Sequence, residues 1–213
     1  MDGLQAGNLG VFQMAREELD LPLAVDYGFN LFNSLALDFL RDHGVGRATL
    51  SPELDFKQVE DIVLRSSLEV ECLVAGQLPL MVTEHYFSEF AGAGKGKGAQ
   101  GTAARQSADL YLKDRKGIMF PLLRDRQGRM HLFNARELCL VEDISRFARI
   151  GVDFLRIEGR NRDAAYVAAT TRLYREGLRA YADRDFDGEE LAAAAERLYP
   201  EGKTKGHYYR GVE

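Results

Sequence analysis

The sequence predicts an α/β protein of about five strand–helix units that build a parallel sheet, with a long insertion after the fourth strand. Three observations predict it. Short apolar segments alternate with stretches of helical period, and a helix between two strands is the right-handed crossover that parallel neighbours need. The strand segments are apolar without strict alternation, as expected when both faces of a sheet are covered. A weak internal echo, "HGVGRATLSPE" and "IGVDFLRIEGR", repeats one order: helix end, Gly-Val, apolar strand, polar exit.

Each unit can be justified in turn. "GLQAG" is a weak strand, followed by the helical "LGVFQMAREEL", in which Val11, Ala15 and Leu19 share a face. "PLAVDY" is the second strand; its helix, "NSLALDFLRDHG", aligns Leu35, Phe39 and Leu40 and stops at Gly44. "RATLS" is the third strand, and its helix starts at Asp55 with Gln58 three residues on, a capping-box pattern that turns Phe56, Val59, Ile62 and Val63 inward. "EVECLVA" is the fourth strand. Its helix is delayed by the insertion at 78–133 and is expected over "ARELCLVEDISRFARIG", with Asn134 and Glu137 in cap spacing and Gly151 as the stop. "DFLRIE" is the fifth strand, and Asp163 to Tyr181 the fifth helix, with Tyr166, Thr170, Leu173, Tyr174 and Leu178 on its inner stripe. Residues 1–182 therefore hold the sheet-building part, and 183–213 a C-terminal helix and tail. Five units fall short of the eight in a closed (β/α)8 barrel of about 250 residues. On periodicity, an open sheet and an incomplete barrel both stand.

The chain has 213 residues, 46% hydrophobic and 29% charged, the balance of a water-soluble globular domain. Its longest apolar runs, such as "LPLMV", are too short to cross a bilayer, and no leader resembles a secretory signal. Two cysteines, Cys72 and Cys139, make no disulfide framework, so the expected compartment is the cytoplasm. A net charge of −5 argues against a general nucleic-acid binder. Residues 95–129 nevertheless carry nine Lys/Arg against three Asp, either a solvated loop or a patch for an anionic partner.

In either architecture ligands gather at the carboxyl ends of the strands. The exits here are polar: Asn8; Asp26 with Asn30; Ser51 and Glu53; Gln77, Glu84 and His85; Glu158, Arg160 and Arg162. Carboxylates and a histidine at one rim are raw material for acid–base work, although such residues also cap helices. Asp55 and Asp163 read as caps. Glu53 follows Pro52 just before a helix, so function and capping are both open for it. "RIEGR" puts Arg156, Glu158 and Arg160 at alternating positions, which could clamp an anion or pair among themselves. Glu84 beside His85 could supply a base, but a single histidine makes no metal site. His43 and His207 do not converge on it by spacing, and His131 could only if the insertion folds back. Both cysteines lie on apolar stretches, Cys72 mid-strand and Cys139 mid-helix, and read as small buried hydrophobes.

The glycine-rich "HYFSEFAGAGKGKGAQG", 85–101, invites a phosphate reading. A Walker loop fails because Ala91 stands where glycine is needed and Gly98 where Ser or Thr is needed. "GKGAQG" matches Gly-x-Gly-x-x-Gly, but no strand runs into it and Pro121 occupies the place of the acidic residue about twenty positions on.

Larger blocks carry a resemblance. "NLGVFQMAREELDLPLAVDYGFNLFNSLALDFLRDHGVGRATLSPEL", "LPLMVTEH", "YLKDRKGIMFPLLRDRQGRMHLFNARELCLVED", "GVDFLRIEGR" and "GHYYRGV" together resemble the collagenase-like peptidase family U-32. The resemblance implies a TIM-like barrel, of which this chain would form a partial, C-terminal portion. It implies a peptidase of unknown catalytic type acting on a peptide or protein. Several relatives instead serve the hydroxylation of transfer or ribosomal RNA or of ubiquinone precursors, and carry an iron–sulfur cluster on cysteines. Nucleic acid is thus a possible partner by family analogy, and no membrane is. Carried over by position, Glu53, Glu84 and His85 are the acid–base candidates. Asn134, Arg156, Glu158, Gly159 and Arg160 are the other rim matches, and Asp26, taken from its strand exit, joins Asn134, Arg156, Glu158 and Arg160 as the expected substrate-binding set. No cofactor is expected: Tyr86 stands where the first cluster cysteine would, and residues 87–129 hold no cysteine. The loop then reads as slack. The alternatives are a hydroxylation factor that has lost its cluster ligands, or a non-catalytic half-barrel completed by another subunit or a second copy.

Overall fold

The computed structural model describes residues 2–85, 110–200 and 202–210 and divides into two compact units, 1–76 with 138–213, and 77–137. The glycine-rich stretch from Tyr86 onward, with the expectations placed on it, lies outside the described residues.

The first unit is mixed α/β around a parallel sheet. Strands β1 (Leu4–Ala6), β2 (Leu23–Val25), β3 (Val45–Thr49) and β4 (Glu69–Gly76) pair in that order, all parallel, and β10 (Phe154–Glu158) runs parallel to β4 as well. These are the five strands read from the sequence. Helices α1 (Leu9–Glu18), α2 (Ser34–Asp42) and α3 (Phe56–Val63) make the first crossovers. Each starts on a side-chain cap that accepts a backbone N–H: Asn8 from Val11, Asn33 from Ala36, and Asp55 from Gln58. At Asp55 the Gln58 side chain returns the bond, so the capping box is complete. Helix α5 (Ala164–Ala182) starts on Asp163 in the same way.

The structure corrects the helix faces. In α1 the buried residues are Phe12 and Ala15, with Val11 and Leu19 exposed; in α2 they are Leu37 and Leu40, with Leu35 and Phe39 exposed. Phe56, Val59 and Ile62 of α3 are buried and Val63 is half-buried; in α5, Thr170, Leu173, Tyr174 and Gly177 face inward while Leu178 is exposed. Apolar residues clustered on a short helix do not by themselves say which of two overlapping stripes meets the sheet.

A larger correction concerns 134–151. Glu137–Cys139 is a strand, β9, antiparallel to β4, and the helix α4 is confined to Ile144–Ile150 after a single 3-10 turn at Val141–Asp143. Because β10 occupies one side of β4 over Glu71–Gly76, β9 must lie on the other, beyond the end of β3. Tyr174 of α5 locks this junction: its hydroxyl donates to Val74 O (2.7 Å) and accepts from Leu140 N (2.9 Å). Pairing with β4 satisfies the backbone that a continuous helix would have satisfied internally.

The tail is part of the core. After α6 (Gly188–Leu198), which Asp187 caps, and the short β11 (Lys203–Thr204), Tyr208 is buried against Phe56 and Phe147, with ring centroids 5.0 and 5.4 Å apart. Its hydroxyl donates to Leu73 O (2.8 Å). Burying aromatics of this size contributes about 2–3 kcal/mol each.

The second unit is a four-stranded antiparallel sheet of β5 (Pro79–Thr83), β6 (Tyr111–Lys113), β7 (Met119–Arg124) and β8 (Met130–Phe133), in the order β5-β8-β7-β6. Two turns of one design build it, "DRKG" and "DRQG". Asp114 accepts from Lys116 and Ile118 N–H, Asp125 from Gln127 and Arg129 N–H, and Gly117 and Gly128 close each turn at positive φ.

Candidate functional site

The strand order brings a polar set onto one face of the first unit's sheet. On β4, Val70 and Cys72 are buried on one side while Glu71, between them, points to the other. Glu71 Oε1 there accepts from Thr49 Oγ1 of β3 (2.7 Å), from Gln5 Nε2 of β1 (3.4 Å) and from Arg156 Nη1 of β10 (3.4 Å). Four strands thus meet through one carboxylate.

Arg156 is the hub. Its Nη1 also donates to Asp26 Oδ1 (2.9 Å), its Nη2 to Asp26 Oδ2 (3.4 Å), and Nη2 lies 3.7 Å from Glu158 Oε2. Asp26 leaves β2 directly and accepts from Tyr27 N as the cap of the 3-10 turn Tyr27–Phe29, so two bonding patterns fix it. Glu158, at the carboxyl end of β10, takes three bonds from Arg160: backbone N (3.1 Å), Nε (2.8 Å) and Nη2 (2.6 Å). Arg160 Nη2 donates to the Tyr27 hydroxyl as well (2.9 Å). "RIEGR" is therefore an ion-pair ladder.

Burial decides what these groups can do. The Glu158 side chain is 3% exposed and that of Arg156 15%, whereas Arg160 is 64% exposed. Burial works against the charge on Glu158, but the bonds from Arg160 and the charges of Arg160 and Arg156 outweigh it and hold the carboxyl below its ordinary range. A carboxylate kept ionised in this way is a poor proton donor near neutrality and a good fixed acceptor. Arg160 is the cation with a face toward solvent. Gly76 makes the approach possible. It sits at φ 114°, opposite Glu158, and a Cβ there would lie 2.2 Å from Glu158 O.

The structure thus brings together Asp26, Arg156, Glu158 and Arg160 and adds Glu71, Thr49, Gln5 and Tyr27, which sequence reasoning missed. A signal for Glu71 existed: Glu69 and Glu71 stand two apart in an otherwise apolar strand, hence on one face. Glu53 lies exposed in the turn between β3 and α3, its N–H toward Ser51 Oγ (3.4 Å), and among the described residues its side chain makes no bond to the network. The capping alternative closes for Glu53, since Asp55 is the cap.

Glu84, His85 and Asn134 belong to the second unit. His85 N donates to Thr83 Oγ1 (3.1 Å), and Glu84 faces the Gln127–Arg129 turn across a hollow of about 470 Å³. Asn134 caps no helix: its Oδ1 accepts from Ala135 N (2.9 Å) and its backbone O from Gln77 Nε2 (2.9 Å). His131 does pair, with Asp125 (3.0 Å), and that contact with the Arg129 bonds holds the Asp125 carboxyl well below its usual range.

An iron–sulfur cluster does not fit the cysteines present. There are two, on β4 and β9 and both buried, and burial pushes the Cys72 thiol up to about 12 and raises that of Cys139. A cluster takes four thiolates. Among the described residues, no group of three or more His, Cys, Asp or Glu is placed to hold a metal ion, and no helix is long and apolar enough to cross a membrane.

The first unit is thus an α/β protein whose parallel sheet carries a carboxylate–guanidinium network on one face, toward the carboxyl ends of its strands. The chain belongs to Peptidase family U32, whose model matches residues 1–213. It is similar to an uncharacterized protease of Methanocaldococcus jannaschii, 26% identical over the whole chain and 53% of that protein. It is also similar to proteins named tRNA hydroxylation protein P: that of Helicobacter pylori, 25% identical over 89% of this chain and 46% of the relative, and that of Escherichia coli, 23% over 97% and 56%. The chain spans about half the length of these relatives. No solved structure matches it significantly.

Proposed function

We propose that this chain serves the hydroxylation of tRNA, as the names of its relatives describe, with the Asp26–Glu71–Arg156–Glu158–Arg160 network as the floor on which a polar substrate group is held. The carrying observation is the state of that network. Its buried carboxylate, Glu158, is held charged and fully hydrogen-bonded, which suits a fixed binding surface better than the proton shuttling a hydrolase needs. The two buried thiols likewise suit core packing better than nucleophilic attack. On this reading Arg160 meets the substrate and Arg156 keeps the carboxylates in register. The parallel sheet is read as part of a U32-type (β/α) barrel, and no cluster chemistry is assigned to this chain's own residues. The test is nucleoside mass spectrometry of tRNA from the host with the gene deleted and with R160A or R156M in its place. Loss of a hydroxylated nucleoside in all three supports the reading; an unchanged profile after deletion overturns it.

The family name and the M. jannaschii relative keep a second reading in play, peptide hydrolysis with Glu53, Glu84 and His85 as acid–base groups. Cleavage of a peptide substrate that is lost in each of E53Q, E84Q and H85A would favour it. Wild-type-like cleavage in all three removes that assignment.

A further inference from the structure

Beyond the rim network, the outer face of α5 carries a feature that packing does not require. Its buried stripe is Thr170, Leu173, Tyr174 and Gly177. Directly opposite, Arg172, Arg175 and Arg179 stand at i, i+3 and i+7 around a shallow hollow of about 530 Å³, floored by Ala168 and Thr171. All three are exposed, and among the described residues none of their side chains makes an ion pair. The stripe spans about 10 Å of helix. One turn further on, Ala182 leads into a second hollow of about 590 Å³, where Arg149 of α4 and Arg184 flank Tyr181 and Phe186. The two rings meet edge to face with centroids 6.3 Å apart. Glu176, Asp183 and Asp185 lie among the five arginines, so the surface is net positive on a chain whose total charge is −5.

We infer that this face binds the sugar–phosphate backbone of RNA, the arginine stripe taking phosphates and the aromatic hollow an unpaired base. The inference rests on the tRNA reading above and extends it to a surface separate from the rim network. The chemistry is specific. Guanidiniums unpaired with protein carboxylates are free to pair with phosphates, and they gain from releasing the counterions of a polyanion. Aromatic rings beside arginine offer a stacking platform for a single-stranded base.

Fluorescence anisotropy with unmodified tRNA across a salt series tests this, using wild type, R172Q/R175Q/R179Q and Y181A, each checked for a wild-type circular dichroism spectrum. The expected results are tenfold or greater weakening by the triple variant at low salt and a salt slope smaller by about 2, since each phosphate left unneutralised removes roughly 0.7–0.9 from the slope. Y181A should weaken binding to unpaired loops with the slope unchanged. If wild type binds tRNA and all variants match it in affinity and slope, the surface is wrong and the RNA reading stands. If wild type binds no tRNA, both fall. If the triple variant loses heparin and tRNA equally while Y181A loses neither, the face is a general polyanion surface and the RNA assignment is overturned.

Discussion

Replacing Arg156 with methionine tests the network most directly. The substitution keeps much of the side-chain volume and removes one positive charge from among Asp26, Glu71 and Glu158, which lie 2.9, 3.4 and 3.7 Å from the guanidinium. At an effective dielectric near 20, each pair at this range is worth about 4 kcal/mol of gross attraction. Removing the guanidinium leaves the half-buried and buried carboxylates without that partner, and breaking a buried pair in this way typically costs about 3–5 kcal/mol. That is the loss expected for R156M in urea unfolding at pH 7. The pH dependence discriminates further. Glu158 has a depressed folded value, so its contribution is present above the unfolded value of about 4.3 and is lost as pH falls through the folded one. Arg160 supplies most of that depression and remains in R156M, so only the smaller share due to the Arg156 charge is lost, and the gap between wild type and variant narrows modestly as pH falls below about 4.3. A gap below about 1 kcal/mol at pH 7 would refute the hub role of Arg156.

Three further outcomes can be measured. G76A places a Cβ 2.2 Å from Glu158 O at a φ of 114°; strain of about 1–3 kcal/mol and overpacking of similar size should lower stability by about 2–6 kcal/mol in thermal unfolding. D55A removes the capping box of α3 and should cost about 1 kcal/mol, while D55N should cost much less. Cys72, buried and with its thiol pushed up to about 12, should resist thiol reagents at pH 8 in the native protein and react promptly in denaturant.

How much was legible varies by element. The strands β1 to β4 and β10 and the caps at Asp55 and Asp163 are written within a few neighbouring residues, because period and capping are local. The 137–139 stretch was not. "ELC" continues a helical pattern smoothly, and only the open edge of β4 beyond β3 turns it into a strand. The hairpins of the second unit were legible in the paired "DRKG" and "DRQG" turns but went unread.

By itself, then, the sequence settled the alternation of strands and helices, the direction in which the five strands run, and the polar character of their exits. Only the tertiary structure decided that Glu71 meets Arg156 across 85 residues of chain, that Glu158 is charged and spoken for, and that Tyr208 of the tail closes the core. The reason is physical: propensity and capping act over one turn of chain, whereas an ion pair across a sheet depends on register, which the whole hydrophobic pattern fixes together.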